Sequence, residues 1–410
     1  MLPSPTNPTI AYLDGAVEVE GGFVRGCQEK QTNKQEGVTK GGNLSHVLHE
    51  GTHFEHSPDL RTPATTTDHH HSPNQQHVHQ QEHAGNIFTG DRKFINEEAL
   101  ECITRMVNQD QNDSLTTMPT LTELKDVVFS LNPNSAADLD GMNGYFFQKW
   151  WPIIKHDLLG VTQAFFCGQM IPKYFSHSCI VLLPMVSNPN KLTEFRPISL
   201  SNFTSKIISK LVSSRLGPML PNLVSLNQSG FFKGRSIAEN IMLAQEIIHQ
   251  IKKPNIGSNV IIKLHMAKAY DRVFWSYICL VLRRMGFEEA FIDMVWRIMA
   301  NNWYSIIVNG KRHGFFQSIR GLKQGDPLSS ALFTLGAEVL SRSLNRLHNN
   351  PEYHGFFMEL RGPQVNHFSF AEDIILFTSG RYKTLKLIMQ TLNSYEETLG
   401  NLLTHTRVIL

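Results

Sequence analysis

The chain has 410 residues, 41% of them hydrophobic, with 38 Lys and Arg against 36 Asp and Glu for a formal net charge of +2. That apolar fraction suffices for a buried core and excludes wholesale disorder, and the length allows two or three domains. The five cysteines lie far apart with no CxxC pair, which argues against a zinc site or a disulfide framework and for a reducing compartment. The opening MLPSPTNPTI has no basic segment followed by an apolar run, and no stretch approaches the roughly 18 apolar residues of a membrane span. The expectation is an intracellular protein of cytoplasm or nucleus, with no membrane partner.

The small net charge hides an asymmetry. Residues 1–90 carry five Lys and Arg against ten Asp and Glu, whereas residues 91–410 carry 33 against 26. The larger part is therefore mildly basic, which suits a nucleic-acid partner. Residues 1–90 are rich in Gly, Thr, Gln, Asn and His with little apolar periodicity, and read as a disordered tail. Ten of the nineteen histidines fall between His46 and His83. A His-rich tract can bind metal, but no regular ligand spacing accompanies it, so a solvated low-complexity segment is the simpler reading.

From residue 91 the pattern turns globular. Thr120-Leu-Thr-Glu123 reads as a capping box, followed at helical spacing by Leu121, Leu124, Val127, Val128 and Leu131. Ile180–Leu183 is a short apolar run ending at Pro184, hence a strand. A helix is predicted over Ser205–Leu216. Ser236-Ile-Ala-Glu239 reads as a second capping box, opening a helix towards Lys252. Val260–Leu264 is a strand, with helices near Tyr277–Met285 and Glu289–Met299. Ser305–Asn309 and Phe315–Ile319 flank Asn309-Gly310, a hairpin signal. Asp326-Pro327 then offers a cap and a first-turn proline for a long helix. Phe368–Ala371 and Ile374–Phe377 are two short strands around Glu372-Asp373, and a last helix lies near Lys383–Leu399. The whole is α+β.

Two of these elements carry chemistry. Transfer of a nucleotide to a primer hydroxyl needs two magnesium ions, one at the attacking oxygen and one at the leaving pyrophosphate. Magnesium is a hard ion, strict in geometry, so its protein ligands are carboxylates at fixed positions. A strand bearing one Asp beside a hairpin bearing two acidic residues meets that need. The hairpin here is Phe370-Ala-Glu-Asp373, and the strand leads from Lys263 through His265 to Asp271, with Arg320-Gly-Leu-Lys-Gln-Gly-Asp-Pro-Leu-Ser329 between them.

In that order and spacing, the chain resembles the reverse transcriptases of LINE-type non-LTR retrotransposons, a kind common in plant genomes. Further blocks carry the resemblance from about Leu121 onward: Phe195-Arg-Pro-Ile-Ser-Leu200, Gln228-Ser-Gly-Phe-Phe-Lys-Gly-Arg-Ser-Ile237 and Lys268-Ala-Tyr-Asp-Arg-Val273. It implies a right-hand polymerase fold with fingers and palm, an RNA template, a DNA primer, deoxynucleoside triphosphates and Mg2+. The implied organisation is a tail over 1–90, a helical N-terminal extension of the fingers over 91–175, and fingers and palm over 176–410. By resemblance His265, Glu372 and Asp373 hold the catalytic positions, with Glu372 and Asp373 as metal ligands. Arg196 matches the arginine that holds the incoming triphosphate, although a plain surface arginine also fits. Tyr270 matches the ring that crowds a ribose 2′-hydroxyl, or else is a core tyrosine. Gln324 and Gly325 match the loop against the template and nascent base pair, and Arg407 stands where the family has a lysine near the palm's end.

Three departures from the family pattern bear on activity. His265 replaces the first catalytic aspartate, and neutral imidazole is a poor magnesium ligand. Glu372 replaces the first aspartate of the hairpin, lengthening the carboxylate by about 1.5 Å. Met185 follows Pro184 where a fingers lysine is usual. Asp271 cannot replace the lost ligand, since six residues along a strand at ~3.3 Å span ~20 Å and even a shorter helical path leaves it well away from the metal. Complete elements also carry a preceding endonuclease and a following thumb; 90 polar residues cannot hold the first, and no thumb is expected before Leu410. Thr404 stands where an asparagine is expected. The expectation is a reverse transcriptase by descent with weak or no activity. The alternatives are a nucleic-acid-binding pseudoenzyme and a non-functional retroelement remnant; protein partners are unknown.

Overall fold

The structure, a computed structural model, describes residues 97–137, 140–189, 194–230, 235–266, 269–308, 310–358, 364–399 and 405–409. The tail 1–90 with its histidines, the turn residue Asn309, Lys268 and Thr404 lie outside the described residues.

Helices come first. Asn108 accepts from the Gln111 amide at 2.9 Å while the Gln111 side chain accepts from the Asn108 amide at 3.0 Å, a complete capping box opening Gln109–Thr116. The next helix, Leu121–Ser130, starts where the sequence predicts, with Thr120 accepting from the Glu123 amide at 3.2 Å. The return arm of that box is replaced: the Glu123 carboxylate takes the Arg215 guanidinium through both oxygens, at 2.7 and 2.8 Å. A two-point charged pair outweighs one neutral amide bond. Leu124, Val127 and Val128 then bury against Phe147, Trp151, Phe203, Ile207 and Leu211. These come from helices Gly144–Lys149, Trp151–Phe166 and Phe203–Leu216.

The described residues include eight strands: β1 (His177–Pro184), β2 (Phe195–Ser201), β3 (Asn259–His265), β4 (Trp303–Val308), β5 (Lys311–Gln317), β6 (His367–Phe370), β7 (Asp373–Ser379) and β8 (His405–Ile409). They form two four-stranded sheets, ordered β2-β1-β4-β5 and β6-β7-β3-β8. All neighbours are antiparallel except β1 and β4. Helix Ser329–Arg346 runs through the main core, where Leu332, Leu335, Val339 and Leu340 share a cluster with Tyr277, Leu282, Ile374 and Leu376. Each such fully buried side chain contributes about 1.5–3 kcal/mol relative to exposure. Helices Trp275–Met285 and Glu289–Ala300 meet at Gly286, whose φ of +95° supplies the left-handed stop that a side chain would resist.

Several sequence expectations are corrected. Ser236 stands before helix Ile237–His249 but makes no side-chain cap, so its capping box does not form. Asp326 does not cap the long helix, which starts at Ser329 after Leu328. It is buried instead, accepting from the Leu328 amide at 2.9 Å and from the Ser209 hydroxyl. Burial raises its carboxyl above the usual range, opposed by the Ser209 bond and by Lys323. The β4–β5 hairpin forms, but β4 starts two residues and β5 four residues earlier than predicted; the Ser318 amide continues the pairing to the Asn302 carbonyl at 3.1 Å. β6 ends at Phe370 because Ala371 takes a φ of +52°, which no strand residue can hold.

Beneath β6 lies a buried polar network. His367 Nδ1 is 2.6 Å from Asn366 Oδ1, and its Nε2 is 2.7 Å from Ser341 Oγ. An amide oxygen only accepts, so Nδ1 carries the hydrogen and Nε2 accepts from the serine. Burial holds this imidazole neutral, lowering its pKa from 6.5 to about 3. The folded value is depressed, so its stabilisation is whole above pH 6.5 and is lost as pH falls from there towards 3, at about 1.4 kcal/mol per unit. Urea unfolding at pH 6.5 and 5.0 is expected to show a drop about 2 kcal/mol larger in the parent chain than in His367→Asn. Equal drops in the two proteins would remove His367 as the acid-sensitive group.

Candidate active site

The site is built where β3, β6 and β7 end. β3 pairs antiparallel with β7 so that its last residue, His265, faces the first residue of β7, Asp373. Their side chains meet, with Nδ1 of His265 3.0 Å from Oδ1 of Asp373, and both are partly open to solvent. Phe370 pairs with Asp373, which leaves Ala371 and Glu372 as a two-residue turn. The Glu372 carbonyl accepts from the Met266 amide at 3.0 Å, tying the turn to the end of β3.

The left-handed Ala371 is a strained position for a residue with a Cβ. It is held by the segment 227–230. Gln228 Oε1 accepts from the Ala371 amide at 3.1 Å and from the Gly230 amide at 2.8 Å. Ser229 donates its amide to Ser369, and Ser369 donates to Asn227 at 2.8 Å. Gly230 has to be glycine, because a Cβ there would lie 2.7 Å from the Ala371 nitrogen. Arg235 in turn fastens this segment, donating to the carbonyls of Pro221, Val224, Ser225 and Gln228 at 2.6–3.1 Å.

Tyr270 lies on the helical turn Ala269–Arg272, its ring stacked on Phe333 at 4.8 Å and 20°. Burial, and after it the Glu372 charge, raises its hydroxyl pKa. Its carbonyl accepts from the Leu322 amide at 2.7 Å, so the loop from Gly321 to Asp326 starts against it. β3 stops at His265 and Asp271 sits on that helical turn, the shorter of the two paths the sequence allows. Gly321 also packs on the Asp271 backbone, where a Cβ would come within 2.9 Å of its carbonyl. Further along, the Gln324 carbonyl accepts from the Ser199 amide of β2 at 3.3 Å, and Gly325 takes a φ of +96°. The Gln324 Oε1 is buried without a hydrogen-bond partner.

Arg196 is exposed on β2 opposite Leu183, three residues from Ser199. Met185, also exposed, donates its amide to Glu194 at 2.8 Å. β8 brings the Arg407 backbone opposite Lys263 and that of His405 opposite His265. The structure thus joins His265, Asp373 and Glu372 at one corner, stacks Tyr270 on Phe333, and sets Gln324 and Gly325 against the strand that bears Arg196. Sequence reading quoted Gln228 and Arg235 within a motif but gave them no task. Two polar residues flanking a glycine-containing block are the signal that could have found them.

Residues 186–402 match the reverse transcriptase (RNA-dependent DNA polymerase) family. The chain belongs to that family. This family member is 27% identical over 272 residues to the transposon TX1 uncharacterized 149 kDa protein of Xenopus laevis, covering 66% of this chain and 20% of that one. It is also 27% identical over 231 residues to the Pol polyprotein of the R2DM retrotransposable element of Drosophila melanogaster, covering 55% and 20%. A third relative, the R2 Pol polyprotein of Nasonia vitripennis, is 27% identical over 247 residues, 60% of this chain and 23% of that protein. The chain therefore spans about a fifth of the length of these curated relatives. The family's match falls on a chain of mixed helices and strands. Among the described residues no helix is long and apolar enough to cross a membrane.

Proposed function

We propose that the chain is the fingers and palm of a retroelement polymerase whose nucleotide addition is weakened at its metal site. In this reading the β2-β1-β4-β5 sheet with its preceding helices forms the fingers, and the β6-β7-β3-β8 sheet the palm. An RNA template, a DNA primer and deoxynucleoside triphosphates are the substrates. Arg196 holds the triphosphate by a charged fork suited to phosphate. Tyr270, stacked on Phe333, crowds the 2′ position of the sugar. Gln324 and Gly325 lie against template and base pair, where glycine lets the backbone approach closely.

Magnesium, when bound, activates the primer hydroxyl and neutralises the leaving pyrophosphate. The donor set does not fit the pair of ions that such chemistry uses. Glu372 and Asp373 offer carboxylates, but the third position is the His265 imidazole. Among the described residues no three His, Cys, Asp or Glu side chains converge on a point suited to a metal ion. The observation that carries the reading is the 3.0 Å contact between His265 and Asp373. A nitrogen occupies the place of a ligand oxygen and engages the one hairpin aspartate that is unaltered. Primer extension on an RNA template should show no incorporation above background with magnesium. Manganese accepts nitrogen ligands better, so residual extension should appear there first. Robust extension with magnesium would refute the weakening and leave a working enzyme.

A further inference from the structure

The four strands of the β2-β1-β4-β5 sheet carry Arg196, Lys311 and Arg312 and no Asp or Glu. Such a bias is far from the near balance of the whole chain. Lys311 and Arg312 lie at one outer edge of the sheet. β5 is the terminal strand of that sheet and is exposed along its whole length, Lys311 to Gln317. Phe315 is 58% exposed, and Lys173, Lys311 and Arg312 are open to solvent.

The local geometry gathers these groups on one face. The register shift between Tyr304 and Ile306, with Gly314 at a φ of +70°, puts an extra residue into β5 and turns Phe315 to the side of Trp303. The two rings stack at 5.0 Å and 15°, and the Lys173 ammonium stands 4.1 Å from the Trp303 ring centre. His177 lies 5.3 Å from Phe315. Arg312 pairs with Ile307, which lies on the same side of β4 as Ser305, whose hydroxyl is 3.0 Å from His177 Nε2, so Arg312 shares this face. Cations interleaved with aromatic rings, and no carboxylate among them, are the composition of a groove for an unpaired nucleic-acid strand.

We propose that the β5 face bearing Lys173, Trp303, Arg312 and Phe315 binds single-stranded RNA, apart from the corner where His265, Glu372 and Asp373 meet. The choice of RNA rests on the reverse transcriptase reading, in which the template is the strand that arrives unpaired. Phosphates sit on Lys173 and Arg312, and an unpaired base packs against Phe315. A paired helix keeps its base faces hidden and gains only the charge contacts.

The test is fluorescence anisotropy of the full chain with a labelled 16-nucleotide oligouridylate in EDTA. Omitting metal and triphosphate keeps its outcome separate from that of the extension assay. Arg312→Glu should weaken binding at least fivefold and flatten the salt dependence by about one counterion. Phe315→Ala should weaken it at least fivefold, since stacking on one ring is worth about 1–3 kcal/mol per base. Lys252→Glu, the same charge change at an exposed site on another element, should stay within twofold. Circular dichroism melts check that Phe315→Ala still folds, and Arg312→Glu removes no packed ring. Equal losses in all three variants would reduce the effect to net charge and overturn the proposal. So would parental affinity in both face variants, equal affinity for duplex RNA, or preference for the matching deoxyuridylate. Self-association that Arg312→Glu abolishes while RNA affinity holds would give the face to a second copy and overturn it too.

Discussion

Replacing His265 by aspartate is expected to raise magnesium-dependent nucleotide addition more than a hundredfold over the parent chain. The two positions face each other across β3 and β7, and their side chains now meet at 3.0 Å. With aspartate at 265 the pair becomes two carboxylates a few ångströms apart. At an effective dielectric near 20 such like charges repel by about 4 kcal/mol, and a divalent cation turns that repulsion into coordination. A metal acting on a phosphoryl oxygen supplies several kcal/mol, and each 1.36 kcal/mol is tenfold in rate. Glu372→Asp should help less, because it moves an existing charge by about 1.5 Å instead of supplying a missing one. Displacements of that size cost on the order of 100-fold, so the double variant should exceed either single one. A readout free of catalysis goes with the rate: millimolar magnesium should raise the melting temperature of His265→Asp and leave the parent's unchanged. If the variant matches the parent in both melting and extension, the imidazole is not what limits the site.

Arg235→Ala should destabilise the fold by about 3 kcal/mol and loosen the catalytic turn from a distance. The guanidinium donates to four backbone carbonyls, those of Pro221, Val224, Ser225 and Gln228. Hydrogen bonds to a charged group are worth about 1.5–3 kcal/mol each, and water can recover part of the loss at this half-buried site. In a core of this size the result is a fall in melting temperature of roughly 5 °C. Arg235→Lys should recover little, because one ammonium cannot span four carbonyls fixed by a planar fork. The local consequence follows the hydrogen bonds. Gln228 holds Ala371 in its left-handed conformation, so amide exchange should quicken at Ser229, Ser369 and Ala371 before it quickens in helix Ser329–Arg346. An unchanged melting temperature, or protection lost evenly across the molecule, would show that the segment is held by something other than Arg235.

The sequence by itself determined the kind of protein and most of its elements. Hydrophobic periodicity located helix Leu121–Ser130, the helices on either side of Gly286 and strand β3 to within a few residues, because a buried face imposes its period on the chain whatever it packs against. The order and spacing of the blocks around His265, Tyr270, Gln324 and Glu372-Asp373 carried a family resemblance, and the family match over residues 186–402 agrees with it. What only the tertiary structure decided was how polar groups are partnered. Glu123 leaves its capping box for an arginine 92 residues away, and Asp326, besides the Leu328 amide, takes the hydroxyl of Ser209, 117 residues away. Local sequence offers each of them a cap, but a distant charged or buried donor is worth more once the chain has folded. The same holds at the site. Nothing in the residues near Ala371 announces that a left-handed alanine will be held there. The strain is borne by Gln228, Gly230 and Arg235, more than 130 residues earlier, and such a debt between distant segments exists only when the fold brings them together.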